Sequence, residues 1–305
     1  MADDWRIVAI DRGDHGVRLD RVLLRHLGDE KGASRNRIQK WIDAGDVLLN
    51  GSTPPRSSWR VQRGDKIRVR VALLPPRVRP AAETIAIDVL YEDDDLLAVN
   101  KPPGLVVHPS FANTSGTLIN GLLARAQSWP PGSTPALLGR LDKHTSGLVL
   151  VTKRSSVYSS LQRAMAANRI EKDYLAIVHG KPAARGTIDL ALDRDPWDRR
   201  RITVTDRGGQ PSLTKYERVA TTKTHSIVRC RLITGRTHQI RVHLAAKGWP
   251  IVGDATYGKS SGFPRQALHA WRLRFTHPKT ATDMTLEAPL PQDMRALADE
   301  LGLSS

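Results

Sequence analysis

The stretch "GRLDKHTSGLVLVTK", Gly139 to Lys153, sets one carboxylate, Asp142, between Arg140 and Lys143. The apolar run Leu148–Val151 follows at once and reads as a buried strand. Thr145 and Ser146 can donate hydrogen bonds to loop carbonyls or to the carboxylate, and Gly147 permits a turn that bulkier residues would strain. A nearby cation would keep the acid ionised. A dry, aimed carboxylate is a nucleophile. The same residues also suit an Asp–Arg pair that merely stabilises a loop, and this stretch by itself leaves both readings open.

Working outward, the segment after the strand predicts a helix over 155–167, with Val157, Leu161, Ala164 and Met165 on one face. "DYLAIVHG", "TKYERVATT", "SIVRCRLIT", "WRLRFTHP" and "MTLEAP" all have strand character, and "RTHQIRVHLAAKG" reads as a helix stopped by Gly248. Upstream, "DLLAVNKPPGLVVHP" reads as strand, Pro-Gly turn and second strand, and "SWPPGSTPA" as a loop. Strands outnumber helices and often follow one another directly. The expectation is an α+β domain over 85–305, on a mostly antiparallel, mixed sheet flanked by helices.

Residues 16–73 form a separate pattern, preceded by an extension over 1–15. "RLDRVLLRHL" places Leu19, Val22, Leu23 and Leu27 on one helical face. "SRNRIQKWIDAG" predicts a second helix with Ser34 as N-cap, Ile38, Trp41 and Ile42 as its stripe and Gly45 as its stop. "DVLLNG" is a short strand ending in an Asn-Gly turn, and "GDKIRVRV" alternates as a strand. Arg35, Arg37 and Lys40 cluster near the start or flank of the second helix, either as a phosphate-reading surface or as a solvated face. The proline-rich stretch over 74–84 reads as a stiff linker.

Charge supplies the partner class. Lysine plus arginine number 47 against 31 acids, a net charge of +16 in 305 residues, which favours a polyanion such as nucleic acid. No run of about 18 apolar residues exists, so no membrane span is expected. The N-terminus lacks the pattern of a secretory signal, and Cys230 is the single cysteine and reads as a small core residue. A cytoplasmic location follows as the expectation.

Other chemistries find little support. Ten histidines include no HExxH pattern, and His238 and His243, five apart on one expected helix, would diverge by about 140°. No phosphate-binding GxxxxGK[ST] loop and no Gly-x-Ser-x-Gly occur; "GKSSG" at 258–262 reads as a surface loop. A glycosidic-bond hydrolase would normally set two carboxylates across the bond, and no second acid stands out beside Asp142.

At "GRLDKHTSG" the chain resembles the RluA-type family of RNA pseudouridine synthases, whose signature is Arg-Leu-Asp followed by Thr-Ser-Gly and a hydrophobic strand. "NKPPGLVVHP" (100–109), "EKDYLAIVHG" (171–180) and "TGRTHQIRVHLAAKGWPIVGDATYG" (234–258) resemble further stretches of the family. "RQALHAWRLRFTHP" and "APLPQDM" are most similar to members that modify large-subunit ribosomal RNA. Residues 16–73 resemble the RNA-binding domain of ribosomal protein S-four, a small αL-type module. The resemblance implies isomerisation of uridine to pseudouridine in ribosomal RNA by a route that needs no cofactor and no metal, and nothing in it demands more than a monomer. It implies Asp142 as the catalytic carboxylate, through attack on the anomeric carbon or through a glycal. Tyr174 would stack on the target base and assist late proton removal, and Arg241 would pair with Asp142. Leu244 would pack near the base, with Thr237, Arg241 and Leu244 sharing a helix face. Arg140 would fill the space of the flipped-out uridine, and Arg35, Arg37 and Lys40 would contact RNA. Transfer RNA as substrate and an RNA-binding assembly factor without activity are the alternatives. One departure stands out: Gly139 occupies the position where the family usually carries histidine.

Overall fold

The computed structural model describes residues 5–10, 14–27, 34–70, 80–109, 115–198, 201–258 and 262–303. They fall into two compact units, Met1–Arg79 and Pro80–Ser305.

The first unit runs β1 (Trp5–Ala9), α1 (Leu19–His26), α2 (Arg35–Asp43), β2 (Val47–Leu49) and β3 (Lys66–Arg70). Its antiparallel sheet has the order β1-β3-β2. Alternation sends Val8, Val47, Ile67 and Val69 inward, where Leu19, Leu23, Ile38, Trp41 and Ile42 of the two helices cover them. The Arg37 amide donates to Ser34 Oγ at 3.3 Å, the expected N-cap. Asn50 and Gly51 both have positive φ, 53° and 87°, and reciprocal Leu49–Ser52 backbone bonds close the turn. The expected start of this unit at residue 16 needs correction. Trp5–Ala9 pairs along its whole length with Lys66–Arg70, because β3 would otherwise present an open edge.

The expected linker lies mostly outside the described residues. Its last residues belong to the second unit: Asn120 Nδ2 donates to the Ala81 carbonyl at 2.8 Å, and the Gly116 amide donates to Glu83 at 2.8 Å.

The second unit continues with β4 (Asp88–Glu92), β5 (Leu96–Lys101), α3 (Leu118–Arg125), β6 (Ala136–Leu137), β7 (Ser146–Thr152), α4 (Ser155–Ala166) and β8 (Glu171–His179). There follow β9 (Arg185–Asp189), β10 (Leu192–Arg194), β11 (Ile202–Val204), β12 (Leu213–Thr221) and β13 (His225–Leu232). The chain ends with α5 (Gln239–Ala246), β14 (Leu268–Thr276), β15 (Asp283–Glu287) and α6 (Gln292–Glu300). Ten strands form one sheet with the path β4-β5-β7-β14-β8-β13-β12-β9, β6 beside β7 and β15 beside β14. Every pairing in it is antiparallel except β7–β14. This is the mixed, mostly antiparallel sheet that the strand pattern predicts.

The parallel seam explains Gly147. Its φ is +109°, and a Cβ there would lie 2.2 Å from the Ala270 carbonyl oxygen, so only glycine fits. Beside it, Ser146 Oγ lies 3.0 Å from His269 Nδ1. On one side of the seam, Leu96, Ala98, Leu148 and Leu150 pack with Val157 and Leu161 of α4, while Leu97, Val99, Val149 and Val151 pack with Leu118 and Leu122 of α3. The period-2 alternation thus buries both faces of β5 and β7. On the other side, Ala176, Val228 and Cys230 pack with Ile240 and Leu244 of α5 and with Met294 and Leu297 of α6.

Three local expectations change. The second strand expected in 100–109 does not form, because the Val106 and Val107 carbonyls accept the Leu118 and Ile119 amides at the start of α3. The helices α3 and α6 carry no expectation from the sequence. The helix α5 starts at Gln239, because His238 adopts a left-handed φ of 56°. Among the described residues no helix is long and apolar enough to cross a membrane.

Candidate active site

The loop between β6 and β7 carries Asp142, and buried donors fix its backbone. Lys101 Nζ donates to the carbonyls of Pro102 at 2.8 Å, Leu105 at 3.0 Å and Lys143 at 3.1 Å. Burial, with help from the Arg265 cation, pushes the Lys101 ammonium down to about 8, although Asp142 opposes the shift. Arg265 Nη1 holds the His144 carbonyl at 3.2 Å, and Gln266 Nε2 donates to Thr145 Oγ1 at 3.3 Å. Gly139 has a φ of +100°, and a Cβ there would meet nothing within 4 Å, so backbone conformation rather than space favours glycine over histidine at this position.

From the opposite side α5 delivers Arg241. Before it, Gln239 Oε1 accepts from Thr234 Oγ1 at 2.9 Å and the Arg236 amide at 3.0 Å, which pins the turn. Arg241 Nη1 donates to Asp142 Oδ2 at 2.9 Å. Its Nε and Nη2 form a bidentate pair with Asp254 at 2.7 and 2.9 Å. Burial would raise Asp254, but the Arg241 bonds and charge, with the Thr256 and Tyr257 amides, outweigh it and hold the acid below the usual carboxylate range. Burial likewise opposes the Arg241 charge, and Asp254 and Asp142 overcome it and hold the guanidinium above its ordinary value.

A second group faces the same carboxylate oxygen. His238 Nε2 lies 3.7 Å from Asp142 Oδ2, and its Nδ1 lies 2.8 Å from the Tyr257 hydroxyl. The Tyr257 oxygen accepts the Ile202 amide at 2.9 Å. A carboxylate in front of Nε2 favours the proton there, so Nδ1 accepts from the Tyr257 hydroxyl. Burial, against the pull of Asp142, lowers the basicity of His238. Tyr257 also stacks under Arg241, its ring centroid 5.0 Å from the guanidinium carbon.

Asp142, His238 and Arg241 line a cleft of about 510 Å³ that also takes in Arg140, Tyr174, Lys172 and Ile240. Tyr174 of β8 forms part of its wall, and burial together with the Asp142 charge drives its phenol well above the ordinary value. It therefore stays protonated at neutral pH, which suits a stacking surface better than a proton acceptor. Arg140 is exposed at the cleft.

Leu244 does not line the cleft. It is 0% exposed, in the core beneath the sheet, whereas Ile240, one turn earlier, lines the cleft. Residues 239–244 are all buried, so α5 has no single cleft-facing side, and Thr237 is exposed outside it. His238, expected inside the helix, caps it instead. In the first unit, Arg37 stacks over Trp41 at 4.9 Å and Lys40 is exposed, while the Arg35 side chain lies outside the described residues. Asp254, His238, Tyr257, Ile240 and Lys101 all belong to stretches that carry the family resemblance, but no spacing in the sequence marks them as partners of Asp142. Asp254 is a second acid that sequence spacing does not reveal, and Arg241 engages both of its oxygens.

The model of the family described as RNA pseudouridylate synthase matches residues 95–246, a span that contains both Asp142 and Arg241. YlyB of Bacillus subtilis, named an uncharacterized RNA pseudouridine synthase, is 39% identical over 290 residues, covering 93% of this chain and 94% of its own. The ribosomal large subunit pseudouridine synthase D of Neisseria meningitidis serogroup B is 38% identical over 304 residues, covering 95% of this chain and 80% of its own. Two solved human structures, RNA pseudouridylate synthase domain containing 4 and domain containing 1, superpose with TM-scores of 0.59 and 0.55. They share 24% and 26% identity, covering 72% and 73% of this chain and 94% and 97% of theirs. With relatives matched over nearly its whole length and the same fold around the cleft, the chain belongs to the RNA pseudouridylate synthase family and is an isomerase that acts on RNA.

Proposed function

We propose that the protein converts uridines of ribosomal RNA, in the large subunit, to pseudouridine, with Asp142 as its catalytic carboxylate. The observation that carries this reading is the 2.9 Å bond by which a buried, doubly anchored Arg241 aims Asp142 into the cleft beside Tyr174. The name of the Neisseria relative supports the substrate class.

The reaction breaks the bond from N1 to C1′ and forms one from C5 to C1′, while C5 loses a proton and N1 gains one. Asp142 acts at the sugar, by attack on C1′ or by abstraction of a sugar proton to give a glycal. Arg241 keeps it charged and placed. Tyr174 offers the detached uracil a flat surface on which to turn. Extruding a base costs a few kcal/mol, which Arg140 offsets by occupying the vacated stack. The first unit, similar to the domain of ribosomal protein S-four, adds Arg35, Arg37 and Lys40 as phosphate contacts. The enzyme works as a cytoplasmic monomer without metal or cofactor.

The test is to map pseudouridine across ribosomal and transfer RNA in a deletion strain and its parent. Large-subunit positions should revert to uridine. Losses confined to transfer RNA would reject the substrate, and no loss anywhere would leave an RNA-binding factor.

A further inference from the structure

We propose that the Lys172 ammonium is a binding site for an RNA phosphate, set in the cleft one nucleotide step from the base-stacking Tyr174. This assignment rests on the functional reading above. The cations that line the cleft are otherwise engaged or exposed: Arg241 holds Asp142 and Asp254, Arg272 holds Asp173, and Arg236 Nε donates to the Pro211 carbonyl at 3.4 Å. Arg140 is exposed. Lys172 is partly buried, and among the described residues its ammonium makes neither a hydrogen bond nor an ion pair.

Neighbouring acids do not serve it. Asp173, which also lines the cleft, is taken by Arg231 and Arg272, and Glu171 is taken by Arg231 and Arg274. The cross-strand neighbour of Lys172 is Leu273. Burial accordingly lowers the basicity of the ammonium, with no acid to oppose it. A lone cation withdrawn from water is costly unless an anion arrives to complete it.

The position is also suited to the ligand. Residues 172 and 174 share a strand face, about 7 Å apart along β8, which is close to the step between a base and a neighbouring backbone phosphate. Nζ lies 3.4 Å from the place a Cβ on Gly235 would occupy, so the ammonium rests against the turn that precedes α5. A compact, strongly hydrated point charge fits a phosphate better than it fits a flat base edge.

The experiment compares wild type, Lys172→Met and Lys172→Arg on one ribosomal RNA fragment, with kcat, KM and RNA affinity measured across a salt series. For Lys172→Met, KM should rise about five- to tenfold at low salt with kcat little changed, and the slope of log affinity against log salt should shrink by about 0.7. Lys172→Arg should restore both. A loss in kcat with KM and slope unchanged would overturn the phosphate site, and so would an unchanged Lys172→Met enzyme. Wild-type product in the same assay separates a failure here from a failure of the functional reading, because affinity and its salt slope are read without turnover.

Discussion

The loop before β7 and the loop after α5 each bring one aspartate to Arg241. Asp254 is 1% exposed, accepts two nitrogens of the guanidinium and two backbone amides, and its burial closes it to a substrate. Asp142 is 27% exposed, accepts one guanidinium bond at Oδ2, and its Oδ1 accepts none among the described residues. The same cation therefore holds one acid that is closed off and one that stays open to the cleft. The difference lies in how many donors each loop supplies. Asp254 fixes the guanidinium, and the fixed guanidinium aims Asp142.

Removing the shared partner breaks both halves of the comparison. Arg241→Met leaves Asp254 buried without its cation, so stability should fall by about 3–5 kcal/mol. Product formation should fall by at least about 10³-fold, the scale of losing a placed catalytic group. Denaturant unfolding and a pseudouridine assay read the two effects. Normal stability with activity lost would show that Asp254 does not need the ion pair.

Asp254→Asn breaks one half. It should cost about 3 kcal/mol of stability and reduce kcat less than Arg241→Met does, since Arg241 keeps Asp142 but loses its anchor. A fully stable, wholly inactive variant would reverse the roles assigned to the two acids.

Acid separates this pair from the seam without substitution. Burial pushes His269 down to about 4, against its bond to the Ala288 carbonyl. The unfolded chain binds that proton near pH 6.5, so the stability owed to neutral His269 is complete above about pH 6.5 and is lost as pH falls toward 4. The loss is on the order of 3 kcal/mol. Asp254 has a different window: its depressed value contributes stability above the ordinary aspartate range of about 3.9, and that contribution disappears only on further acidification. Unfolding of His269→Gln should lose the upper step and keep the lower one.

The smallest change sharpens the contrast. Tyr257→Phe keeps the Tyr257 amide on Asp254 but removes the hydroxyl from His238. A loss of about 1 kcal/mol, or roughly fivefold in kcat, is expected, with an altered acid limb in the pH–rate profile. No change in that limb would detach His238 from Asp142.

The contrast also marks what is legible in the sequence. Asp142 and Arg241 stand in dense motifs, and the expected pairing between them is present in the structure. The alternation that buries β7 and the glycine demanded at 147 are readable too, since period and turn chemistry are local properties. A helical wheel started at 237 puts Thr237, Arg241 and Leu244 on one cleft-facing side, but Thr237 precedes the helix and Leu244 is core. The left-handed His238 delays that start, and core on every side of α5 removes the one-sided face. Asp254 escapes the sequence because its partner is set by tertiary approach rather than spacing. Trp5–Ala9 escapes it because a single strand has no signal until a neighbour pairs with it.

The most direct test of Asp142 as the reactive acid is single-turnover pseudouridine formation by purified Asp142→Asn at saturating ribosomal RNA, with Tm and RNA affinity measured on the same protein. No detectable product should form, with both Tm and affinity close to wild type. Product formed at the wild-type rate would contradict the catalytic role of that carboxylate.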